Sequence, residues 1–247
     1  MESDQIVEVI KEVRSFYQAQ GNPELVKKYS RFFVEGYDAY GVDQKLIENQ
    51  RLIWFDKFIA KLGFDDFLQL GDQLVVGGKY EEVFLGFWFI RQFEKEFTKD
   101  TFTRLSSWLE NGICNWAQTD VFSGDIVSPF LISRIVEIDT LSEWRSSSSK
   151  WMRRSAAVSL IKPAQQGLPV KAVLEFIVPL MTDTEKVVHQ GVGWLLREVW
   201  KLHPQEVEVF LLEWKDTCPR LIIQYATEKM TADQKNRYKK IKPKKDI

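Results

Sequence analysis

Apolar residues recur at helical spacing along almost the whole chain. In the first segment, one helical face carries Ile6, Val7, Ile10, Val13 and Tyr17. Positions three or four residues apart are neighbours on a helix surface, so this spacing is typical of an amphipathic helix. The alternation of apolar and polar positions that is typical of a half-buried strand is nearly absent. The pattern therefore predicts an all-α protein.

Helix-breaking residues divide this pattern into pieces of roughly 12 to 20 residues, the usual length of globular helices. The breaks are Gly21-Asn22-Pro23, Gly41–Asp43, Gly63, Gly77-Gly78, Lys99-Asp100, Ser123-Gly124, Ser146–Ser149, Gly167–Pro169, Thr182-Asp183, His203-Pro204 and Cys218-Pro219. Asn22 and Asp183 are suited to cap the helices that follow them, and Pro204 is suited to a first helical turn. The breaks therefore support a chain of separate helices.

Taken in pairs, these pieces form units of about 35 to 45 residues, which is the period of HEAT-like helical repeats. An irregular helical bundle would give the same period. Charged and aromatic residues recur near the ends of successive second helices, where a solenoid forms its concave surface. We therefore expect a HEAT-like helical repeat solenoid, an α-α superhelix that forms a single curved domain.

The charge of the chain is distributed unevenly. The net charge is −1, yet residues 235–247 carry seven lysines or arginines against Asp246, which leaves −7 for the residues before them. Such a segment either binds nucleic acid phosphates or is a solvated, frayed terminus, and the sequence leaves both interpretations open. We expect a HEAT-like domain over residues 1–232, followed by a flexible basic tail over residues 233–247.

Composition excludes several classes of protein. An apolar content of 45% argues against disorder, and no apolar stretch reaches the ~18 residues of a membrane span. The start, MESDQIVEVIKEV, lacks the basic and apolar regions of a signal peptide, so we expect a cytoplasmic protein. Cys114 and Cys218 form no CxxC pattern, and with two histidines we expect no metal and no cofactor. Nine tryptophans are more informative, because some indoles should meet a partner as well as pack.

Trp116 and Asp120 form the first candidate element for chemistry. They stand four residues apart, so in a helix the indole and the carboxylate would share a face. An aromatic ring beside an anion suits a cationic ligand. Spacing alone favours the structural alternative, in which Trp116 belongs to the core and Asp120 caps the following helix.

Two further elements lie downstream. Ser148–Ala157 leads from a polar loop into a helix that carries Lys150, Arg153 and Arg154, and a helix entrance with guanidinium groups suits phosphate. A solvated basic turn above Trp151 is the structural alternative. Gly191 and Gly193 interrupt a strong helical pattern at a cost of around 1 kcal/mol each, which indicates that something approaches the backbone closely. Tight helix packing is the structural alternative there.

Together and in this order, these elements resemble the AlkD family of DNA alkylation repair glycosylases, which are built from HEAT-like repeats. The family patterns are matched by Trp116 with Asp120, by Trp151 with Arg154, and by Gly193-Trp194 with Arg197-Glu198. The resemblance covers roughly residues 5 to 230, and the residues around Tyr29 and Tyr37–Val42 are similar to the N-terminal segment of the family. One departure is the linker Ala117-Gln118-Thr119, which is less acidic than the Trp-Asp-x-Val-Asp element of well-known members.

The resemblance implies excision of positively charged N3- or N7-alkylated purines from double-stranded DNA, in base excision repair and without deep flipping of the base. It implies catalytic roles for Asp120, Trp116 and Trp194. It implies DNA contacts by Arg154, Arg153, Tyr29, Lys150 and Arg197. We expect a monomer whose partner is alkylated duplex DNA.

The alternative class is a non-catalytic HEAT-like relative that binds DNA or serves as a protein scaffold. The acidity of the chain outside its basic end favours this alternative mildly. An unrelated enzyme on a helical scaffold has less support, because no Gly-rich phosphate loop, HExxH motif or nucleophile elbow is found.

Overall fold

The protein is all-α, as the sequence predicts. The computed structural model describes residues 4–239, and no β-strand occurs within that range. None of the helices in that range combines the length and the hydrophobicity that crossing a membrane requires. The chain divides into two compact units, one ending at Gln118 and the other beginning at Thr119. This boundary lies inside the domain predicted over residues 1–232, at a place that no glycine or proline marks.

Seven α-helices and a short 3-10 helix are described in the N-terminal unit. They are α1 Asp4–Gln20, α2 Pro23–Ser30, α3 Gln44–Ile59, α4 Phe64–Val75, α5 Tyr80–Arg91, the 3-10 helix Glu94–Glu96, α6 Lys99–Ser106 and α7 Trp108–Asn111. Helix α4 packs against α5, and α1 packs against both. Large aromatic side chains such as Trp54, Phe67 and Trp108 are fully buried. Their burial supplies much of the apolar core of this unit.

Helix α8, Trp116–Phe122, begins before the boundary and ends after it. The C-terminal unit continues with the π-helix Ser123–Val127, α9 Ser128–Ile132, the 3-10 helix Ile138–Ser146, α10 Lys150–Val158, α11 Ile161–Gln165, α12 Val170–Ile177, the 3-10 helix Val178–Thr182, α13 Lys186–Trp200, α14 Pro204–Trp214, α15 Arg220–Ala226 and α16 Ala232–Asn236. Helix α13 is central, because α10, α14 and α15 all pack against it. Many of these helices are shorter than predicted.

Most predicted breaks fall between helices. Asn22 caps α2 by accepting a hydrogen bond from the backbone N–H of Glu24 at 2.9 Å, and α14 begins at Pro204, as predicted. Asp183 is not the residue that precedes α13 directly. Its carboxylate instead accepts from the backbone N–H of Glu185 at 2.8 Å, just before that helix.

The break predicted at Ser123-Gly124 is wrong. The backbone continues from α8 through the π-helix into α9. The Ser123 hydroxyl donates to the carbonyl of Thr119 at 2.6 Å, and the Ser128 hydroxyl donates to the carbonyl of Ser123 at 2.9 Å. These hydroxyl groups bond to carbonyls of the same helical run, so the serines are satisfied within the helix and do not end it.

The basic tail predicted from residue 233 begins as part of the folded unit. Helix α16 ends at Asn236, and the side chain of Tyr238 is fully buried. Arg220 donates to the carbonyl of Tyr238 at 2.6 Å. Packing of this aromatic residue extends the ordered chain past the predicted boundary. Residues 240–247, which hold the remaining part of the predicted tail, lie outside the described residues.

Gly193 is required by the close packing of α13 on α15. A Cβ atom at this position would lie 2.5 Å from the Cβ of Tyr225 and 2.8 Å from the carbonyl oxygen of Ile222. Neither atom can move without moving the α15 backbone. The close approach that the sequence predicts here is therefore confirmed, and helix packing is its cause.

We expect Gly193→Ala to lower the free energy of unfolding by about 1–3 kcal/mol, because overpacking outweighs the gain in helix propensity. Urea denaturation followed by circular dichroism would measure the change. Gly124→Ala is the matched control, since the nearest atom to its added Cβ is Lys162 Cε at 3.6 Å. A Gly193→Ala variant as stable as this control would contradict the explanation.

Candidate active site

Asp120 and Arg154 form a bidentate ion pair in the C-terminal unit. Asp120 is the fifth residue of α8, and Arg154 lies in α10. Arg154 donates from Nε and from Nη2 to the two carboxylate oxygens of Asp120, both at 2.8 Å. The Asp120 side chain is 15% exposed and that of Arg154 is 6% exposed. The carboxylate is therefore the member of the pair that a ligand in solution can reach.

The third nitrogen of the Arg154 guanidinium, Nη1, also has a partner within the protein. Its Nη1 donates to the backbone carbonyl of Val187, in the first turn of α13. Gly191, one turn further along α13, makes room for the arginine, because a Cβ there would lie 3.1 Å from Arg154 Cγ. The close approach predicted at Gly191 is thus made by Arg154 itself.

This geometry gives Arg154 partners within the protein, whereas the resemblance implied a phosphate contact. All three nitrogens of its guanidinium donate hydrogen bonds within the protein, and the side chain is buried. A buried guanidinium requires such partners, because an unpaired buried charge is costly. Arg154 therefore holds Asp120 in this structure and does not present a cation to solvent.

A buried chain of hydroxyl groups connects α8 to α10 beside the ion pair. Ser123 donates to the carbonyl of Thr119, the residue before Asp120, and lies 2.8 Å from the hydroxyl of Ser155, the residue after Arg154. Both serines are fully buried. Hydrogen-bonded polar networks of this kind rigidify a core when every member is satisfied. The backbone on both sides of the ion pair is thus held in register.

Arg153 differs from the alternative of a solvated basic turn, whereas Lys150 lies closer to it. Arg153 donates to Asp183 at 2.6 Å and to the carbonyl of Ser147 at 2.7 Å, with a mostly buried side chain. Lys150 lies partly exposed with its Nζ 4.9 Å above the ring of Trp151. Arg153 therefore fixes the loop before α10, while Lys150 remains near the surface.

Arg197 is committed to carboxylates of its own unit. It donates to Glu198 at 3.1 Å and also pairs with Glu228. Burial would raise the pKa of Glu198, but hydrogen bonds from Lys201 and Arg197 outweigh it and hold that pKa below its ordinary value. Arg197 is therefore paired with carboxylates in this structure, and its contact with DNA stays a prediction. Trp194, in the same helix, is half-buried.

Trp116 belongs to the N-terminal unit and is not a core residue. It is the most exposed of the nine tryptophans, at 40%, and begins α8. Its Nε1 donates to the backbone carbonyl of Phe32 at 3.1 Å. One face of the indole stacks on Phe33, with ring centroids 5.7 Å apart and an interplanar angle of 11°. The structural alternative for Trp116 is therefore wrong, because the indole forms part of a surface.

That surface is a cluster of aromatic rings around a cavity of about 480 Å³. Phe33 stacks on Tyr37 at 4.7 Å between centroids, and Tyr80 packs edge-on against both. Burial, followed by the charge of Glu81, raises the pKa of Tyr37 and raises that of Tyr80 to about 12. Both phenols are therefore neutral at ordinary pH. Tyr29, the residue carried over from the family, lines the same cavity and is 41% exposed.

Glu81 was not identified from the sequence, although it holds the loop behind this cluster. Its buried carboxylate accepts hydrogen bonds from the backbone N–H groups of Tyr40, Gly41 and Val42 at 2.9, 2.7 and 3.2 Å. Gly41 has a φ of +78°, and a Cβ there would lie 2.3 Å from the carbonyl oxygen of Asn22. An acidic residue in a helix carries no sequence signal for such a role.

Two contacts of the arginines in α10 could not be read from the sequence. Val187 acts through its backbone carbonyl, which no side-chain pattern reveals. Asp183 was interpreted as a helix cap, and its carboxylate also accepts hydrogen bonds from Arg153.

Within residues 4–239, no group of three or more His, Cys, Asp or Glu side chains is arranged to hold a metal ion.

Comparison with known proteins agrees with this arrangement of helices. A protein from Enterococcus faecalis described as a predicted DNA alkylation repair enzyme superposes with a TM-score of 0.71, covering 86% of this chain and 98% of its own. The two share 16% sequence identity, so this likeness concerns the fold alone. Among curated proteins, none matches the sequence.

The family assignment comes from the sequence itself. The family described as DNA alkylation repair enzyme matches residues 13–230, which include Trp116, Asp120, Arg154 and Trp194. That match spans most of the chain and every element that the resemblance was based on. The chain belongs to the DNA alkylation repair enzyme family.

Proposed function

We propose that the protein is a DNA glycosylase that excises N3- and N7-alkylated purines from double-stranded DNA, with Asp120 as the principal catalytic residue. The observation that carries the proposal is the carboxylate of Asp120, which two hydrogen bonds hold in a largely buried site while 15% of the side chain stays exposed. Membership of the DNA alkylation repair family supports alkylated DNA as the substrate.

Alkylation at N3 or N7 places a positive charge on the purine and makes it a good leaving group. When the bond between C1′ and the purine nitrogen breaks, both electrons leave with the base, which becomes neutral, and the sugar acquires oxocarbenium character. A water molecule then adds to C1′ and loses a proton. The transition state is cationic at the sugar, so a fixed anion stabilises it more than it stabilises the ground state.

The carboxylate of Asp120 retains acceptor capacity for this task. An ionised carboxylate has about four lone-pair positions, and Arg154 occupies two of them. The remaining positions can accept a hydrogen bond from the attacking water or face the sugar. Arg154 partly neutralises the negative charge of the carboxylate but fixes its orientation. A group that is already oriented does not have to reorganise during the reaction.

Trp116 and Trp194 keep their expected roles within this proposal. Indole rings stabilise an adjacent cation through their electron-rich faces. Trp116 is exposed and Trp194 is half-buried, so each ring has surface that a ligand can contact. We expect both to pack near the deoxyribose, and Lys150 to contribute to the attraction of phosphates.

Asp120→Asn should reduce the excision rate by about 10²- to 10³-fold, the loss that follows removal of one preorganised electrostatic group. The measurement is release of free 7-methylguanine from duplex DNA under single-turnover conditions, by chromatography. Asp125→Asn is the matched control, since Asp125 also pairs with a cation, Lys162, at 2.7 Å, and it should retain the wild-type rate. If wild type releases no base above the spontaneous rate, the enzymatic proposal is excluded.

Arg154 should act through Asp120 and not through a phosphate. We expect Arg154→Gln to lower the single-turnover rate while the salt dependence of DNA binding stays unchanged. A lost phosphate contact would instead make the slope of log K against log salt shallower by about 0.9. Breaking a buried ion pair costs about 3–5 kcal/mol of stability, so folding is checked by urea denaturation. Arg154→Lys, which keeps the charge but loses the bidentate geometry, serves as the second variant and should also be slow.

A further inference from the structure

An exposed apolar tip follows α2, and we infer that it inserts into duplex DNA at damaged sites. The tip is formed by Phe32 and Val34, which are 52% and 97% exposed. The inference rests on the proposed function only in taking duplex DNA as the partner. It adds to that function a part of the protein that would contact the base stack.

The tip is held rigidly by the residue between its two members. Phe33 is buried and stacks against both Tyr37 and Trp116. The carbonyl of Phe32 accepts the hydrogen bond from Trp116 Nε1. The backbone N–H of Gly36 donates to the carbonyl of Phe33 at 3.2 Å, which places Val34 at the corner of a tight turn. Aromatic packing around Phe33 therefore holds two apolar side chains, Phe32 and Val34, in an exposed position.

Three cations precede the tip along the chain, and their positive charge suits phosphate. Lys27, Lys28 and Arg31 are all exposed and form no ion pair within residues 4–239. Lys28 Nζ lies 5.2 Å from the ring centroid of Tyr29, and Arg31 lies over the ring of Phe32 at 4.8 Å. The charges thus sit directly on the exposed rings.

Few acidic residues lie near the tip. Asp38 pairs with Lys79 at 2.5 Å, and Glu24 lies in the first turn of α2, away from its C-terminal end. Glu35 follows Val34 and is exposed. Three cations against one adjacent carboxylate leave the tip positive, which suits a polyanion.

Charge and apolar surface together identify the partner as duplex DNA. Proteins that kink DNA insert apolar side chains such as Phe or Leu between base steps and neutralise the flanking phosphates with Lys and Arg. Separating stacked bases costs a few kcal/mol, and it costs least where a base is damaged or lost. A small apolar tip therefore favours damaged over intact DNA, which adds a means of lesion discrimination that needs no deep pocket.

The test separates the apolar and the cationic contributions. One variant replaces the tip, as Phe32→Ser with Val34→Ser, and a second replaces the cations, as Lys27→Gln, Lys28→Gln and Arg31→Gln. The controls are Val209→Ser, an exposed apolar residue elsewhere, and the triple variant Lys45→Gln, Lys61→Gln and Lys99→Gln. The probe is a duplex with a tetrahydrofuran abasic analogue and 2-aminopurine on either side of it, which no glycosylase can cleave.

Wild-type protein should raise the 2-aminopurine fluorescence, because insertion unstacks the neighbouring base. The tip variant should lose that rise and bind about tenfold or more weakly, with an unchanged salt slope. The cation variant should make the slope of log K against log salt shallower by up to about 2.7, at about 0.9 per phosphate contact. Neither control should change either quantity.

Wild-type fluorescence and affinity in the tip variant would overturn the inference and leave the tip to a protein partner. Failure of the inference is distinguishable from failure of the proposed function. If the tip variant loses the fluorescence rise while wild type releases no base from alkylated DNA, the tip is supported and the glycosylase is rejected. If wild type releases the base and the tip variant keeps the wild-type fluorescence rise, the glycosylase is supported and the tip is rejected. If wild type does not bind DNA at low salt, both are rejected.

Discussion

The ion pair between Asp120 and Arg154 determines how the C-terminal unit is arranged around its candidate site. A guanidinium that is almost fully buried must satisfy its donors inside the protein, because an unpaired buried charge is strongly destabilising. Arg154 does so by joining three elements, since it lies on α10, binds a side chain of α8 and donates to a carbonyl of α13. The other residues of the site follow from this requirement. The serine chain keeps α8 and α10 aligned, and Gly191 leaves room for the arginine stem.

The N-terminal unit solves a different physical problem, that of keeping apolar rings at a surface. Trp116, Tyr37 and Tyr80 pack around Phe33 and are supported by Glu81, whose carboxylate holds the adjacent loop through three backbone N–H groups. Aromatic pairs gain from their mutual geometry as well as from burial. Such a scaffold can therefore carry exposed side chains without losing its own order, which is a common property of surfaces that bind a partner.

Much of the fold was predictable from local pattern, because helix spacing, glycine and proline act over a few residues. Asn22 and Pro204 mark helix starts as expected. The chain does not break at Ser123-Gly124. The hydroxyl of Ser123 donates to a helical carbonyl and is hydrogen-bonded to Ser155 on another helix. The local sequence pattern gives no information on that distant partner. The burial of Tyr238 could not be predicted either, because its neighbours along the chain are mostly basic and indicate an exposed segment.

The candidate site was predictable as a set of residues but not as a set of contacts. The family resemblance named Asp120 and Arg154 and implied a phosphate contact for the arginine, whereas in the structure the arginine is bonded to Asp120. Arg153 and Arg197 likewise proved to be paired with acidic residues, Asp183 for the one and Glu198 for the other. Charge type can be read from sequence, whereas the partner of a charge depends on packing between helices that are distant along the chain.

The contact between Gly191 and Arg154 has a consequence for the history of the family. A Cβ at position 191 would lie 3.1 Å from Arg154 Cγ and 3.3 Å from Val158 Cγ2, so the arginine is the nearer of two side chains of α10 that require the glycine. A relative with a small side chain in place of Arg154 would lose the nearer contact, and alanine at 191 would then crowd only the Val158 methyl group. Which residues position 191 tolerates therefore depends on the group that holds the carboxylate at 120.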